Sequence, residues 1–212
     1  MNNELIHSAL LADASVEQFN VLDLLRTGTA DIHQLIERRV PVFREDFNLE
    51  DYARLVESFF GFWAPVEEKL SKVPTLRDRD LALQSRFKCS LLRDDLLILG
   101  RDPATVPQCE KLPRLDTFLQ GLGCLYVLEG STLGSQIISR RLAEKLQLGE
   151  RSGASFFNAY GGLVGSRWME FKRFVSASVT PEHADNVVEA ARQTFMCFYE
   201  WLGKASMTVT GA

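Results

Sequence analysis

The stretch Leu115–Leu148, LDTFLQGLGCLYVLEGSTLGSQIISRRLAEKLQL, decides the fold class. Its apolar residues recur three and four apart, the period of a helix buried on one side, and nothing in it alternates as a half-buried strand would. Yet it carries glycine at 121, 123, 130 and 134, and each interior glycine costs a helix roughly 0.5 to 1 kcal/mol relative to alanine. On a helix of about 3.6 residues per turn, Gly123, Gly130 and Gly134 fall within about 40° of one another. A stripe of that kind lets something approach the backbone closely, either a neighbouring helix or a planar ligand. Ser131, Thr132 and Ser135 add hydrogen-bonding groups beside it and favour a site.

The helical period continues on both sides. A first helix is expected from about Ser15, where SVEQ has the capping-box pattern, to Arg39, before Pro41 stops it. A second runs from about Leu49 to Leu70 after Asn48, holds the run FFGFW, and is expected to kink or divide at Pro65. A third covers about Arg77 to Leu99, and the quoted stretch is the fourth. A glycine-rich turn, Tyr160 to Gly165, precedes a fifth from Ser166 to Ser178. Thr180 and Pro181 open a sixth that ends near Gly203. The reading is a single-domain all-α helical bundle over 1–212, with 1–14 as an N-terminal extension and 205–212 as a flexible tail.

With 212 residues, 46% of them hydrophobic, the chain can bury a core around a ligand. Its net charge of -4 gives no general attraction for nucleic acid or for anionic lipid, and neither is an expected partner. The start, MNNELIHSALLADAS, lacks the basic and apolar segments of a secretory signal. No stretch approaches the roughly 18 apolar residues of a spanning helix, so the expected location is the cytoplasm. Cys89, Cys109, Cys124 and Cys197 form no CxxC pair and are read as free thiols.

The first helix contains the sharper constellation. At about 100° per residue, Leu22, Thr29, His33, Ile36 and Val40 share a narrow arc, Glu37 stands one turn after His33, and Arg26 two turns before it, about 10 Å along the axis. A histidine on such an arc is either a core residue or a metal ligand, and Arg26 and Glu37 are either a solvated flank or its accessories. Heme iron needs a neutral imidazole, an acceptor that fixes its tautomer, and cations for the propionates, which His33, Glu37 and Arg26 can supply.

Three segments together resemble the heme oxygenase family. RTGTADIHQLIE, residues 26–37, resembles its proximal helix, LYVLEGSTLGSQIISRRL, residues 125–142, its distal helix, and FFNAYGGLVGSRWMEFKRF, residues 156–174, the segment that follows. The likeness is strongest to members found beside bacterial phytochromes. It implies a bundle that sandwiches heme between the two helices. It further implies His33 as the iron ligand, Glu37 as its partner, Gly130 and Gly134 as the glycines over the heme, and Thr29, Arg26 and Arg173 as cofactor contacts, the two arginines near the propionates and Lys172 as a further candidate. Heme would be both cofactor and substrate, consumed with O2 and external electrons to biliverdin, CO and ferrous iron. The electrons would come from a reductase or ferredoxin, and a bacterial phytochrome could receive the biliverdin.

Animal members carry aspartate after the first distal glycine, where this chain has Ser131. The carboxylate that organises distal water is therefore not carried over, leaving Ser131, backbone groups and ordered water. A non-enzymatic heme carrier or sensor on the same fold would keep His33 without needing the distal glycines. A thiaminase-type helical enzyme would need acidic partners for Cys124. His7 and His183 read as surface residues, Phe157 and Trp168 as packing, and Arg86, Lys88 and Arg93 as a solvated face or a dock for an acidic reductase.

Overall fold

The computed structural model describes residues 19–73, 76 and 81–207. The expected Ser15 start, residues 1–14 and residues 208–212 lie outside them. Six α-helices are described: α1 Val21–Glu37, α2 Leu49–Ser71, α3 Cys89–Ile98, α4 Phe118–Leu146, α5 Val164–Ser178 and α6 Ala184–Met207, joined by short 3-10 turns. No strand occurs among the described residues, so the all-α reading holds. None of these helices is long and apolar enough to cross a membrane.

The caps explain several boundaries. Asn20 caps α1 by accepting from the Leu22 N–H at 3.1 Å, so the helix begins at Val21. Asn48 and Asp51 form a reciprocal capping box at the start of α2, and Thr117 and Gln120 form another at α4. The third helix is shorter than expected, because Leu83–Arg86 is a separate 3-10 turn before α3. The sixth runs past Gly203 to Met207, one turn of 3-10 geometry at Pro181–His183 having replaced its expected start.

Pro65 neither kinks α2 into two elements nor ends it. Its missing N–H would have bonded the Gly61 carbonyl, and that carbonyl instead accepts from the Cys109 N–H at 2.8 Å. The cost of an interior proline is thus offset by a tertiary bond to the loop after α3.

The core is built where α2 and α6 meet. Phe59 stacks on Trp63 at 5.0 Å and meets Phe198 edge-on at 5.1 Å, while Trp63 meets Phe156 at 5.5 Å. Such pairs add about 0.5 to 1.5 kcal/mol each beyond the area they bury. Buried Asp95 of α3 accepts from the Ser155 and Phe156 N–H groups at 2.8 and 2.9 Å, and the Tyr52 hydroxyl donates to the Gly153 carbonyl at 2.8 Å. Gly153 has φ +100, a conformation that only glycine takes without strain. These bonds pin the α4–α5 connection onto α2 and α3.

α6 is the spine against which both α1 and α4 pack. A Cβ at Gly28 of α1 would stand 2.6 Å from Val188 Cγ1, so the two helices cross closely there. Arg192 of α6 clamps the crossing: it donates to both carboxylate oxygens of Asp31 at 2.7 and 3.0 Å and also to the Gly28 carbonyl.

Candidate functional site

The buried stripe of α1 is Val21, Leu25, Thr29, Ile32 and Ile36. His33 lies on its flank rather than within it, with 51% of its side chain exposed. The expected arc of Leu22, Thr29, His33, Ile36 and Val40 therefore divides between a packed edge and an open one. The imidazole stands edge-on against Phe195 of α6, ring centroids 5.6 Å apart, which limits its rotation from behind. Nδ1 points towards Glu37, 3.6 Å from Oε1, beyond hydrogen-bonding distance.

Thr29 is 3% exposed, and its hydroxyl donates to the Leu25 carbonyl at 2.7 Å. Its side chain is thus nearly enclosed by protein. Its position is in the seam between α1 and α4, beside Tyr126: burial pushes the Tyr126 phenol above its usual range, and hydrogen bonding with Thr29 opposes that shift. From this junction, His33 is one turn on along α1 and Gly130 one turn on along α4. Arg26 is exposed and paired with Asp23 at 3.4 Å. Arg173 and Lys172 stand on α5, which packs against α1, with Arg173 exposed.

The glycine stripe of α4 also divides. The helix is continuous from Phe118 to Leu146, so its glycines do not interrupt it. A Cβ on Gly123 would collide with the Val187 carbonyl of α6 and come within 2.8 Å of Ala190 Cβ and the Ala191 nitrogen. Gly123 thus serves helix packing, and so does Gly121, whose Cβ would strike Leu76. At Gly130, a Cβ would meet only Trp168 Cη2 at 3.8 Å, and at Gly134 nothing within 4 Å. These two leave a strip of bare backbone against open space, the shape that a flat ligand requires and that side chains would fill.

The hydroxyls beside that strip are turned into the helix. Ser131 donates to the Leu128 carbonyl at 2.7 Å, Thr132 to Glu129 at 2.7 Å, and Ser135 to Ser131 at 3.0 Å. Such bonding within a helix loosens and bends it. Trp168, expected as packing, is the wall opposite Gly130, with Tyr126 at 5.7 Å and Phe171 stacked on it at 5.7 Å.

Arg86 and Lys88 do not form a solvated face. They are 2% and 3% exposed and converge on Glu129, itself 1% exposed, at 2.6 and 2.7 Å. Tyr160 donates to the same carboxylate at 2.8 Å. Neither basic residue is available to a docking partner, and only Arg93 of the three is exposed. His183 is exposed in its 3-10 turn, as expected, and His7 lies outside the described residues. The four cysteines are free thiols, and no cluster of three or more metal-binding side chains occurs among the described residues.

The fold is one already seen in solved structures. A heme oxygenase from Neisseria meningitidis, solved in NO-bound and CO-bound forms, superposes with a TM-score of 0.73 at 21% identity, over 88% of this chain and 92% of that one. A heme oxygenase from Leptospira interrogans gives a TM-score of 0.66 at 18% identity, over 88% of this chain and all of that one. Comparison with curated protein sequences gives no match. The family model for heme oxygenase matches residues 19–204, and the chain belongs to that family. It is an enzyme that takes heme as both cofactor and substrate and cleaves it oxidatively to biliverdin, CO and ferrous iron.

Proposed function

We propose that in this chain heme lies between His33 of α1 and the Gly130–Gly134 strip of α4. The observation that carries the reading is the bare backbone at Gly130 and Gly134, one turn from the junction where α1 and α4 meet. Bound heme supplies the iron chemistry. The protein's part is to hold, orient and shield. His33 offers Nε2 to iron, Phe195 steadies the ring, and Glu37 draws closer to Nδ1–H when the imidazole is engaged, fixing the tautomer. Arg26 and Arg173 hold the propionates as charge-assisted donors, and Lys172 stands next to Arg173. Gly130 and Gly134 let oxygen approach the helix, and Trp168 limits the space at one end. Ser131 replaces no carboxylate: its proton is already given to Leu128, so water held at the open backbone is the better proton source.

Electrons come from a separate reductase or ferredoxin in the cytoplasm, and a bacterial phytochrome is the proposed recipient of biliverdin, on the strength of the resemblance in residues 26–37 and 125–142. A carrier or sensor reading gives no reason for the open glycines and is set aside with the family assignment.

The test is ligand loss. In His33→Ala the ferrous nitrosyl spectrum should become five-coordinate, heme cleavage should be largely lost, and added imidazole should restore part of it. Glu37→Ala should do less, in the range of about 10 to 100-fold for groups that orient a ligand. A His33→Ala protein that kept a histidine-bound spectrum would end the proposal.

A further inference from the structure

Next in sequence to Gly130 is an acid with almost no access to solvent. The two oxygens of Glu129 are shared among three donors: Oε2 accepts from Arg86 Nη1 at 2.6 Å, and Oε1 from Lys88 Nζ at 2.7 Å and the Tyr160 hydroxyl at 2.8 Å. Arg86 is further fixed by Nε donating to the Leu81 carbonyl at 3.0 Å. Its Nη2 faces Glu170 at 3.2 Å without hydrogen-bond geometry. Lys88 is held through Nζ to the Arg86 carbonyl at 2.7 Å and through its own N–H to Glu67 at 2.7 Å.

Burying these charges costs several kcal/mol per ion before pairing offsets it, and a well-packed apolar set would often be as stable. Stability alone is thus a poor reason for the cluster. Its geometry offers another. The Arg86 guanidinium lies 5.7 Å from the centroid of Phe171, Phe171 stacks on Trp168 with 26° between planes, and Trp168 Cη2 faces Gly130. The contacts close into a circuit that starts at Glu129 and returns to the residue beside it.

We propose that the buried Arg86–Glu129 pair is a positioning device that fixes the Trp168 indole against Gly130, and thereby sets which edge of the heme is attacked. The regiochemical half rests on the reading that heme occupies this strip. The positioning half does not. Arg86 and Glu129 touch no substrate. They act through Phe171 and Trp168, and productive geometry at such a site has to be held to within about 0.5 Å. Lys88 and Tyr160 bind the other carboxylate oxygen, so that Glu129 is clamped on both sides and cannot rotate away from Arg86.

The test uses Arg86→Lys, which keeps the charge but loses the planar fork and the face over Phe171, and Glu129→Gln, which keeps the shape but loses the charge. Tyr160→Phe is the control, since it removes one donor and leaves the Arg86 pair intact. Fluorotryptophan-labelled protein without heme is followed by fluorine NMR, with Trp168→Phe to assign the Trp168 resonance against those of Trp63 and Trp201. Arg86→Lys should split or broaden the Trp168 signal and leave the other two in place. In turnover with heme it should change the ratio of biliverdin isomers severalfold, with Glu129→Gln alike and Tyr160→Phe much less. A lowered melting temperature with one unshifted Trp168 signal and an unchanged isomer ratio would mean a merely structural pair and would overturn the inference. If Glu129→Gln does not fold, Arg86→Lys decides alone. If the wild type fails to open heme, the proposed function falls, and the fluorine spectrum still decides the positioning.

Discussion

The two halves of α4 use the same residue for opposite ends. Gly121 and Gly123, near its start, are bare so that Leu76 and the backbone of α6 can press against them. Gly130 and Gly134, further along, are bare with almost nothing against them. In the first half the missing side chain is filled by protein, in the second by space. A helical stripe of glycine therefore does not identify a binding face. What identifies it is the stretch of the stripe that the rest of the molecule declines to occupy.

That contrast can be broken by adding a methyl group on each side of it. Gly123→Ala should be the more damaging to stability, because the atoms it meets include a carbonyl and a backbone nitrogen of α6 that cannot swing aside. Overpacking of this kind costs about 1 to 3 kcal/mol and sometimes more, and urea denaturation should place the loss at the upper end of that range. Gly134→Ala should raise stability by about 0.5 to 1 kcal/mol, the intrinsic preference of a helix for alanine, while slowing heme cleavage. A Gly134→Ala protein that lost stability and kept full turnover would show that the two halves do not differ in the way described.

The smallest expected effect concerns the clamp that holds α1 on the packed side. Hydrogen bonding to Arg192 lowers the Asp31 carboxyl from its ordinary 3.8 to about 2. A carboxyl whose pKa is depressed by folding contributes stability that is complete above its unfolded value and is lost as pH falls through the folded one. Asp31→Asn should therefore flatten the acid limb of the stability curve between about pH 4 and 2, and thermal melts across that range would reveal it. Because the side chain is exposed, salt should shrink the difference. An acid limb identical in the two proteins would remove the clamp from the account.

Much of this was legible in the sequence, for reasons that also explain where legibility stopped. The helices have caps and periods that are local properties, so Asn48 announced the start of α2, whereas the Thr117 cap of α4 lies two residues inside the start expected at Leu115. The His33, Glu37 and Arg26 spacing was equally local, as were the bare residues of α4. The split between Gly123 and Gly130 was not, because it depends on where α6 crosses. Thr29 is a cofactor contact by resemblance alone, and its burial beside Tyr126 depends on tertiary packing that the spacing along one helix does not show. Arg86 and Lys88 sit in and beside a 3-10 turn, which has no hydrophobic period from which burial can be inferred. Glu129 did leave a trace: it follows Leu122 and Leu125 by seven and four residues, on the buried face, where an acid calls for a cation.

The thiols have a consequence for how long the molecule lasts in use. A protein that admits dioxygen to a reducing iron centre works beside its own supply of stray oxidant. Oxidation of cysteine starts from the thiolate. Here burial holds all four side chains in the protonated form, with Cys89 pushed up to about 11, Cys124 to about 12, and Cys109 and Cys197 raised as well. At neutral pH almost none of the vulnerable form exists. The four thiols should therefore react slowly with peroxide, and titration of free cysteine before and after turnover should give the same count.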